Sequence, residues 1–446
     1  MIDDRIGMES FMDACEVDKL VGEGSTLVAQ LMAAAREGHL CIEGGEEDCA
    51  VEVLKGNEER FDKKVGRFGN RYYLQRNWVL EGEVVRGFQR LLQGNVKPID
   101  LGTSEGLNRA QEEAVRKGLC ENVLCLTGGP GTGKTYTVAQ IVKRFKGKVC
   151  VCAPTGKAVS LLREKLDVEV GTLHRMLGVK SGKDLLFGSG ELDCEMVIVD
   201  ECSMIDVGMW ARLLRSLKTG TRVILVGDHD QLPPVEAGTV FGELCRYMKE
   251  RGEGYIHLEE CMRSDQAEIL EMAAKVRRGE MVEYEELGSD VEKWWDRGYQ
   301  ILSCLRRGRY GVDALNKMME KRKDTQRPII VTRSNQRMGV NNGEMGFLKG
   351  EEITIGERRL RASLLSDYEW AYCLSVHKSQ GSEFDKVALL VPKGAEAFGR
   401  EILYTGITRA KEGVVVLSEE GVIEECLKQT SEKMSGMKER LRQCAV

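Results

Sequence analysis

The stretch LTGGPGTGKT, residues 126–135, sets four glycines, a lysine and a threonine where a phosphate could be held. An apolar run, NVLCLT, leads into it. An amphipathic run follows, with Val138, Ile141, Val142 and Phe145 at helical spacing. The order strand, Gly-rich turn, helix is the one a phosphate-binding loop requires. Gly128, Gly129, Gly131 and Gly133 allow a tight turn that points N–H groups inward. The helix N-terminus favours an anion. Lys134 can reach β- and γ-phosphates, and the Thr135 hydroxyl can face Mg²⁺. Pro130, Thr132 and Tyr136 complete the nucleotide-binding stretch. Kinases, GTPases, motors and transporters all share such a loop, so the use made of the phosphate must be read elsewhere.

Two further strand ends narrow the chemistry. MVIVDEC (196–202) is an apolar run ending in Asp200 and Glu201. A carboxylate there suits Mg²⁺, which takes oxygen ligands. Its neighbour can orient and deprotonate an attacking water, which implies nucleotide hydrolysis. Alone, the pair would read as a charged helix cap; after a matching loop it reads as catalytic. RVILVGDHDQLPPVEAG (222–238) ends another apolar run in Asp228, Asp230 and Gln231. A Gln amide beside a γ-phosphate can sense whether that phosphate is present.

These residues must be carried by a sizeable scaffold. A chain of 446 residues should hold two to four domains. With 42% hydrophobic and 30% charged residues it has globular composition. No apolar run reaches the ~18–20 residues that span a membrane. MIDDRIGMES lacks the basic-then-apolar order of a signal peptide. These features predict a cytoplasmic protein with no membrane partner. The fifteen cysteines are scattered without a C-x-x-C pair, so they read as reduced thiols filling a core rather than a disulfide framework or metal cluster. A net charge of −6 counts mildly against nucleic acid but leaves room for a local basic channel.

From about residue 105, short apolar runs alternate with helical ones. The strand candidates are NVLCLT, KVCVCA, EMVIVD, RVILVG, YIHL, YQILSC, PIIVT, AYCLSV, KVALLV and GVVVL. That alternation predicts an α/β fold with parallel sheets, and ten strands fit two sheets split near residue 264. The region before residue 99 shows helical stretches, TLVAQLMAAAREG and WVLEGEVVRGFQRLL, and no catalytic constellation.

The ordered set of motifs resembles the RecD family of superfamily 1 helicases, the α subunit of exodeoxyribonuclease V. LNRAQ (107–111) is similar to the adenine-reading segment, which would give Gln111 the base. APTGKAV (153–159) and GTLHRMLG (171–178) look like strand-contact segments. LEECMRSDQAEILEMAAKVRRGE (258–280) resembles the stretch that supplies an arginine finger, here Arg263. YGVDALN (310–316) and VNNGEMG (340–346) look like landmarks of the second motor domain. LSVHKSQGSEFDKVALLV (374–391) and LYTGITRAKEGVVVL (403–417) close the set, the latter with Arg409 as second finger.

The resemblance implies a small, mostly helical N-terminal partner-docking domain (1–98) and two tandem RecA-like motor domains (99–264 and 265–446). ATP and Mg²⁺ would sit between the motors. The catalytic set would be Lys134, Glu201, Gln231, Arg263 and Arg409, with Thr135 and Asp200 toward the metal and Glu383 toward the ribose. Thr155, Thr172, His174, Ser375, His377 and Lys378 would contact a DNA strand. It further implies 5′-to-3′ translocation on single-stranded DNA and RecB-like and RecC-like partners at duplex ends.

The chain departs from the family at several points. The duplex-splitting hairpin near 178–194 is short, and the SH3-like insert near 345–371 reads as reduced. His229 stands where a smaller or apolar residue is expected. Rival readings are a standalone RecD-like or RNA-directed helicase, and a structural subunit whose ATPase is dispensable.

Overall fold

The computed structural model describes residues 25–44, 65–99, 106–179, 190–260, 267–322, 324–335 and 337–443. Strands β1 (Cys41–Glu43), β2 (Val65–Phe68) and β3 (Arg71–Leu74) form an antiparallel sheet in the order β1-β3-β2. It is flanked by helices Ser25–Arg36 and Gln75–Leu92.

The next unit is a six-stranded parallel sheet. It comprises β4 (Val123–Gly128), β5 (Val149–Ala153), β6 (Glu169–Thr172), β7 (Met196–Val199), β8 (Arg222–Gly227) and β9 (Tyr255–Leu258), in the order β6-β5-β7-β8-β4-β9. Every residue of β4, β5, β7 and β8 is buried, as their unbroken apolar runs require. Alternate residues feed two cores. Leu124, Val151, Ile198 and Ile224 pack against the helix that follows the phosphate loop. Cys125, Cys150, Cys152, Val197 and Val223 pack the other face. The cysteines of the described residues are free thiols, and no described group of three ligating side chains could hold a metal. No helix among the described residues is long and apolar enough to cross a membrane.

A second parallel sheet contains β10 (Glu285–Glu286), β11 (Gln300–Ser303), β17 (Cys373–Ser375), β18 (Phe384–Val391) and β19 (Ala410–Ser418), in the order β10-β19-β18-β11-β17. Between β11 and β17 the chain forms an antiparallel sheet of β12 (Arg327–Val331), β13 (Met345–Lys349), β14 (Glu352–Ile355), β15 (Arg358–Arg361) and β16 (Tyr368–Trp370). The run PIIVT, expected in a parallel sheet, is therefore β12 of this insert. Its two faces serve two cores: Ile330 joins that of the second parallel sheet, while Ile329 and Val331 join the insert's own with Leu348, Ile353 and Ile355. The insert begins near residue 327 rather than 345 and carries five strands.

The described residues of the N-terminal region share a core with the first parallel sheet. Leu80, Val84, Phe88 and Leu91 of helix Gln75–Leu92 enter the core of the first parallel sheet, with the Phe88 ring 5.6 Å from that of Trp210. Its three-stranded sheet was not read from the sequence. The chain's last described helix, Met437–Gln443, returns from the second parallel unit to the same core through Met437 and Leu441. Glu81, fully buried, accepts hydrogen bonds from Tyr73, Ser435, the Gly436 N–H and Arg440, at 3.1–3.2 Å.

Candidate nucleotide cleft

The phosphate loop leaves the carboxyl end of β4 and opens helix Lys134–Arg144. Gly131 (φ +75°) and Gly133 (φ +85°) occupy the left-handed region, which side chains rarely adopt, so the turn needs glycine at both. Thr132 braces the loop by donating to the Gly129 carbonyl at 2.8 Å. The Lys134 ammonium lies within it, donating to the Gly128 and Gly129 carbonyls at 2.6 and 2.8 Å. Residues 130–136, Tyr136 included, line a cavity of ≈ 430 Å³.

Three other strand ends converge there, as binding groups do at the carboxyl ends of parallel strands. Beyond β7, Asp200 and Glu201 line the same cavity. Glu201 has φ 54°, the only described non-glycine residue with positive φ. Such a conformation costs on the order of 1–3 kcal/mol and persists where surrounding structure enforces it. The Glu201 N–H donates to Asp200 Oδ1 at 2.9 Å. Burial and the adjacent Asp200 push the Glu201 carboxyl up to about 7. Beyond β8, Asp228 (1% exposed) and Gln231 (7% exposed) form the cavity wall. Gln231 Nε2 donates to Asp228 Oδ2 at 3.1 Å.

The far wall comes from the second parallel unit: Gly381, Glu383, Arg409 and Lys411. Arg409 is buried, its guanidinium donating to the Thr405 and Ser382 carbonyls at 3.1 and 3.2 Å. It thus shares one cavity with Lys134, while Arg263 lies outside the described residues. Lys157, in the segment read as strand-contacting, also lines this cavity; burial and the nearby Arg409 and Lys411 charges bring its ammonium down to about 8. Tyr404 reaches across from helix Gly399–Ile407, donating its hydroxyl to Asp228 Oδ2 at 2.9 Å. Sequence reasoning missed both Lys157 and Tyr404, although each stands inside a quoted motif.

Gln111 is tied into the protein beside the phosphate loop. Its side chain accepts from the Asn108 N–H in a capping box and donates to the Thr132 carbonyl at 3.4 Å. At 1% exposure it braces the phosphate loop from beneath and does not line the cavity.

The six strand-contact candidates sit on short connections. Thr155, Thr172 and Ser375 each follow or end a parallel strand and cap a helix, accepting from the N–H three residues on. His174 and Lys378 are exposed, and Lys378 pairs with Glu369 of the insert at 2.8 Å. His377 is half-buried, its ring 5.1 Å from Phe398. Of the hairpin region, residues 180–189 lie outside the described set.

A phosphate loop on one parallel-sheet unit, facing an arginine from another across a shared cavity, defines a two-lobed P-loop nucleotide motor. Residues 106–292 match the family described as AAA domain, and residues 370–417 match the UvrD-like helicase C-terminal domain. The RecBCD enzyme subunit RecD of Mycolicibacterium smegmatis is 29% identical over 85% of this chain and 84% of its own length. The ATP-dependent RecD2 DNA helicase of Deinococcus radiodurans is 29% identical over 69% of this chain and 48% of its own. A solved Pif1 helicase, from work on unwinding at forked duplex DNA, shares the fold with a TM-score of 0.51 at 17% identity, over 72% of this chain and 94% of its own. Across most of its length the chain is similar to RecD-like helicases of superfamily 1.

Proposed function

We propose that the protein is an ATP-driven DNA helicase that moves 5′-to-3′ on single-stranded DNA as the RecD-like subunit of a RecBCD-type nuclease–helicase in double-strand break repair. The observation that carries this is the shared cavity: Lys134, Asp200 and Glu201 come from one parallel-sheet unit, Arg409 from the other. Arginine stays charged and its fork matches phosphate oxygens, so a γ-phosphate would draw the lobes together and its loss would release them. Alternate gripping through the caps at Thr155, Thr172 and Ser375, with His174, His377 and Lys378, would then advance a strand without reading its sequence.

Lys134 holds the β- and γ-phosphates; Glu201 takes the proton of the attacking water; Gln231 registers the γ-phosphate; Arg409, with Arg263, neutralises transition-state charge; Glu383 lies toward the ribose. Thr135 and Asp200 present oxygen donors to one cavity, the ligand type Mg²⁺ takes, and would hold that ion. When bound, it would neutralise phosphate charge. The units acting as motors are the two parallel sheets with their helices. The N-terminal region is the docking surface for RecB-like or RecC-like partners in the cytoplasm. Identity to RecBCD subunits over most of this chain supports the subunit reading.

Unwinding of 5′- and 3′-tailed duplexes, with and without RecB- and RecC-like chains, tests this directly. The 5′-tailed duplex should open faster, more so with partners. Opening of the 3′-tailed duplex alone would reverse the polarity. Absence of both unwinding and strand-stimulated hydrolysis would remove the motor.

A further inference from the structure

Gln231 is held in one orientation. Its Nε2 is spent on Asp228, and its Oε1, buried at the cavity wall, has no partner among the described residues. An amide oxygen only accepts. It therefore suits an O–H of the attacking water or an N–H of an arginine, so Gln231 would register the γ-phosphate through that water and not by touching its oxygens. What keeps the amide this way round is Asp228, whose Oδ2 receives both the Gln231 amide and the Tyr404 hydroxyl.

Tyr404 belongs to the opposite lobe. Its ring is 3% exposed, and a Cβ built on Gly129 would lie 3.3 Å from its hydroxyl, so the phenol stands against the phosphate loop. Burial, with Asp228 beside it, pushes the phenol well above its ordinary pKa and keeps it a donor. The neighbouring residue is gripped from the same side. The Leu232 N–H donates to Thr405 Oγ1 at 2.9 Å, and Gln380 Nε2 donates to the Leu232 carbonyl at 3.1 Å. Loop 228–232 thus takes its shape from side chains that move with the second lobe.

We infer that Tyr404 is a positioning residue for hydrolysis: docked across the cleft, its hydroxyl fixes Asp228, and through it the Gln231 carbonyl that meets the attacking water. The inference rests on the ATP-hydrolysing reading above and adds a condition to it. Gln231 is aligned only while the second lobe is seated, so hydrolysis waits on closure. When the lobes part, Asp228 loses one donor and the amide is free to turn.

The test is a double-mutant cycle on ATP hydrolysis, with affinity for a fluorescent ATP analogue measured beside it. Tyr404→Phe keeps the ring and removes one hydroxyl. It should lower kcat on the order of tenfold, as small misplacements do, with nucleotide affinity unchanged. Asp228→Asn should lower kcat at least as much. In a Gln231→Ala background, Tyr404→Phe should cost almost nothing further, because coupled residues are non-additive. Equal losses in both backgrounds, an unchanged kcat in Tyr404→Phe, or lost nucleotide affinity in that variant would each overturn the inference. Because basal turnover carries the cycle, a wild-type enzyme that hydrolyses ATP but ignores single-stranded DNA would count against the helicase reading and leave the Tyr404 result standing. A wild-type protein with no hydrolysis would remove both.

Discussion

The nucleotide cleft and the proposed strand-contact surface are both built at the carboxyl ends of parallel strands, yet they use their side chains in opposite ways. In the cleft, charged and amide groups face one cavity: Lys134, Asp200, Glu201 and Gln231 from the first lobe, Arg409 from the second. The residues of the surface are largely occupied with the protein itself. Thr155, Thr172 and Ser375 cap helices, and Lys378 pairs with Glu369. The difference teaches that the cleft works through side-chain chemistry, which one substitution can remove. The proposed surface would rely on backbone N–H groups and cap geometry, where single substitutions act weakly. That fits a ligand held by its phosphates, whose sequence need not be read.

The contrast can be broken at either end. Lys134→Ala should reduce ATP hydrolysis to background while leaving the thermal transition near that of the wild type; unchanged turnover would favour a scaffold whose ATPase is dispensable. Arg409→Ala should cost roughly 10³-fold in kcat, the scale of an arginine finger, with nucleotide affinity largely kept. If binding is lost instead, the residue is misassigned. Lys157 supplies a pH test. Its ammonium is charged below about 8 and neutral above. Affinity for ATP should therefore weaken as pH rises from 7 to 9, and Lys157→Arg should flatten that slope.

The surface should respond less. Thr155→Ala removes a helix cap and should cost about 1 kcal/mol of stability, with a small loss of oligonucleotide affinity. Glu369→Ala frees Lys378, so single-stranded DNA should bind modestly more tightly and with a steeper salt dependence. A large effect from Thr155→Ala on hydrolysis, with stability intact, would mean that the two regions are not distinct in kind.

The cleft was the more legible region because its signals are local. A strand that runs into four glycines and Lys134 specifies a phosphate loop, and Asp200–Glu201 after an apolar run specify the carboxylates. Tyr404 and Lys157 were hidden because their roles depend on which lobe faces which, and no spacing along the chain encodes that. Gln111 was given the base by resemblance; its hydrogen bonds join the capping box to the phosphate loop, a bracing no spacing announced. PIIVT misled for a physical reason. An antiparallel strand buried between two cores reads as the same unbroken apolar run as a strand inside a parallel sheet. The three- and four-residue strands β1, β2 and β3 are too short to show alternation.

The most direct test is a structure with a non-hydrolysable ATP analogue and Mg²⁺ bound. Two lobes closing on one nucleotide predict an Arg409 guanidinium nitrogen within about 3 Å of a γ-phosphate oxygen, while Lys134 holds the β- and γ-phosphates from the other side. A nucleotide seated on the first lobe alone, with Arg409 still held by the Thr405 and Ser382 carbonyls, would contradict it.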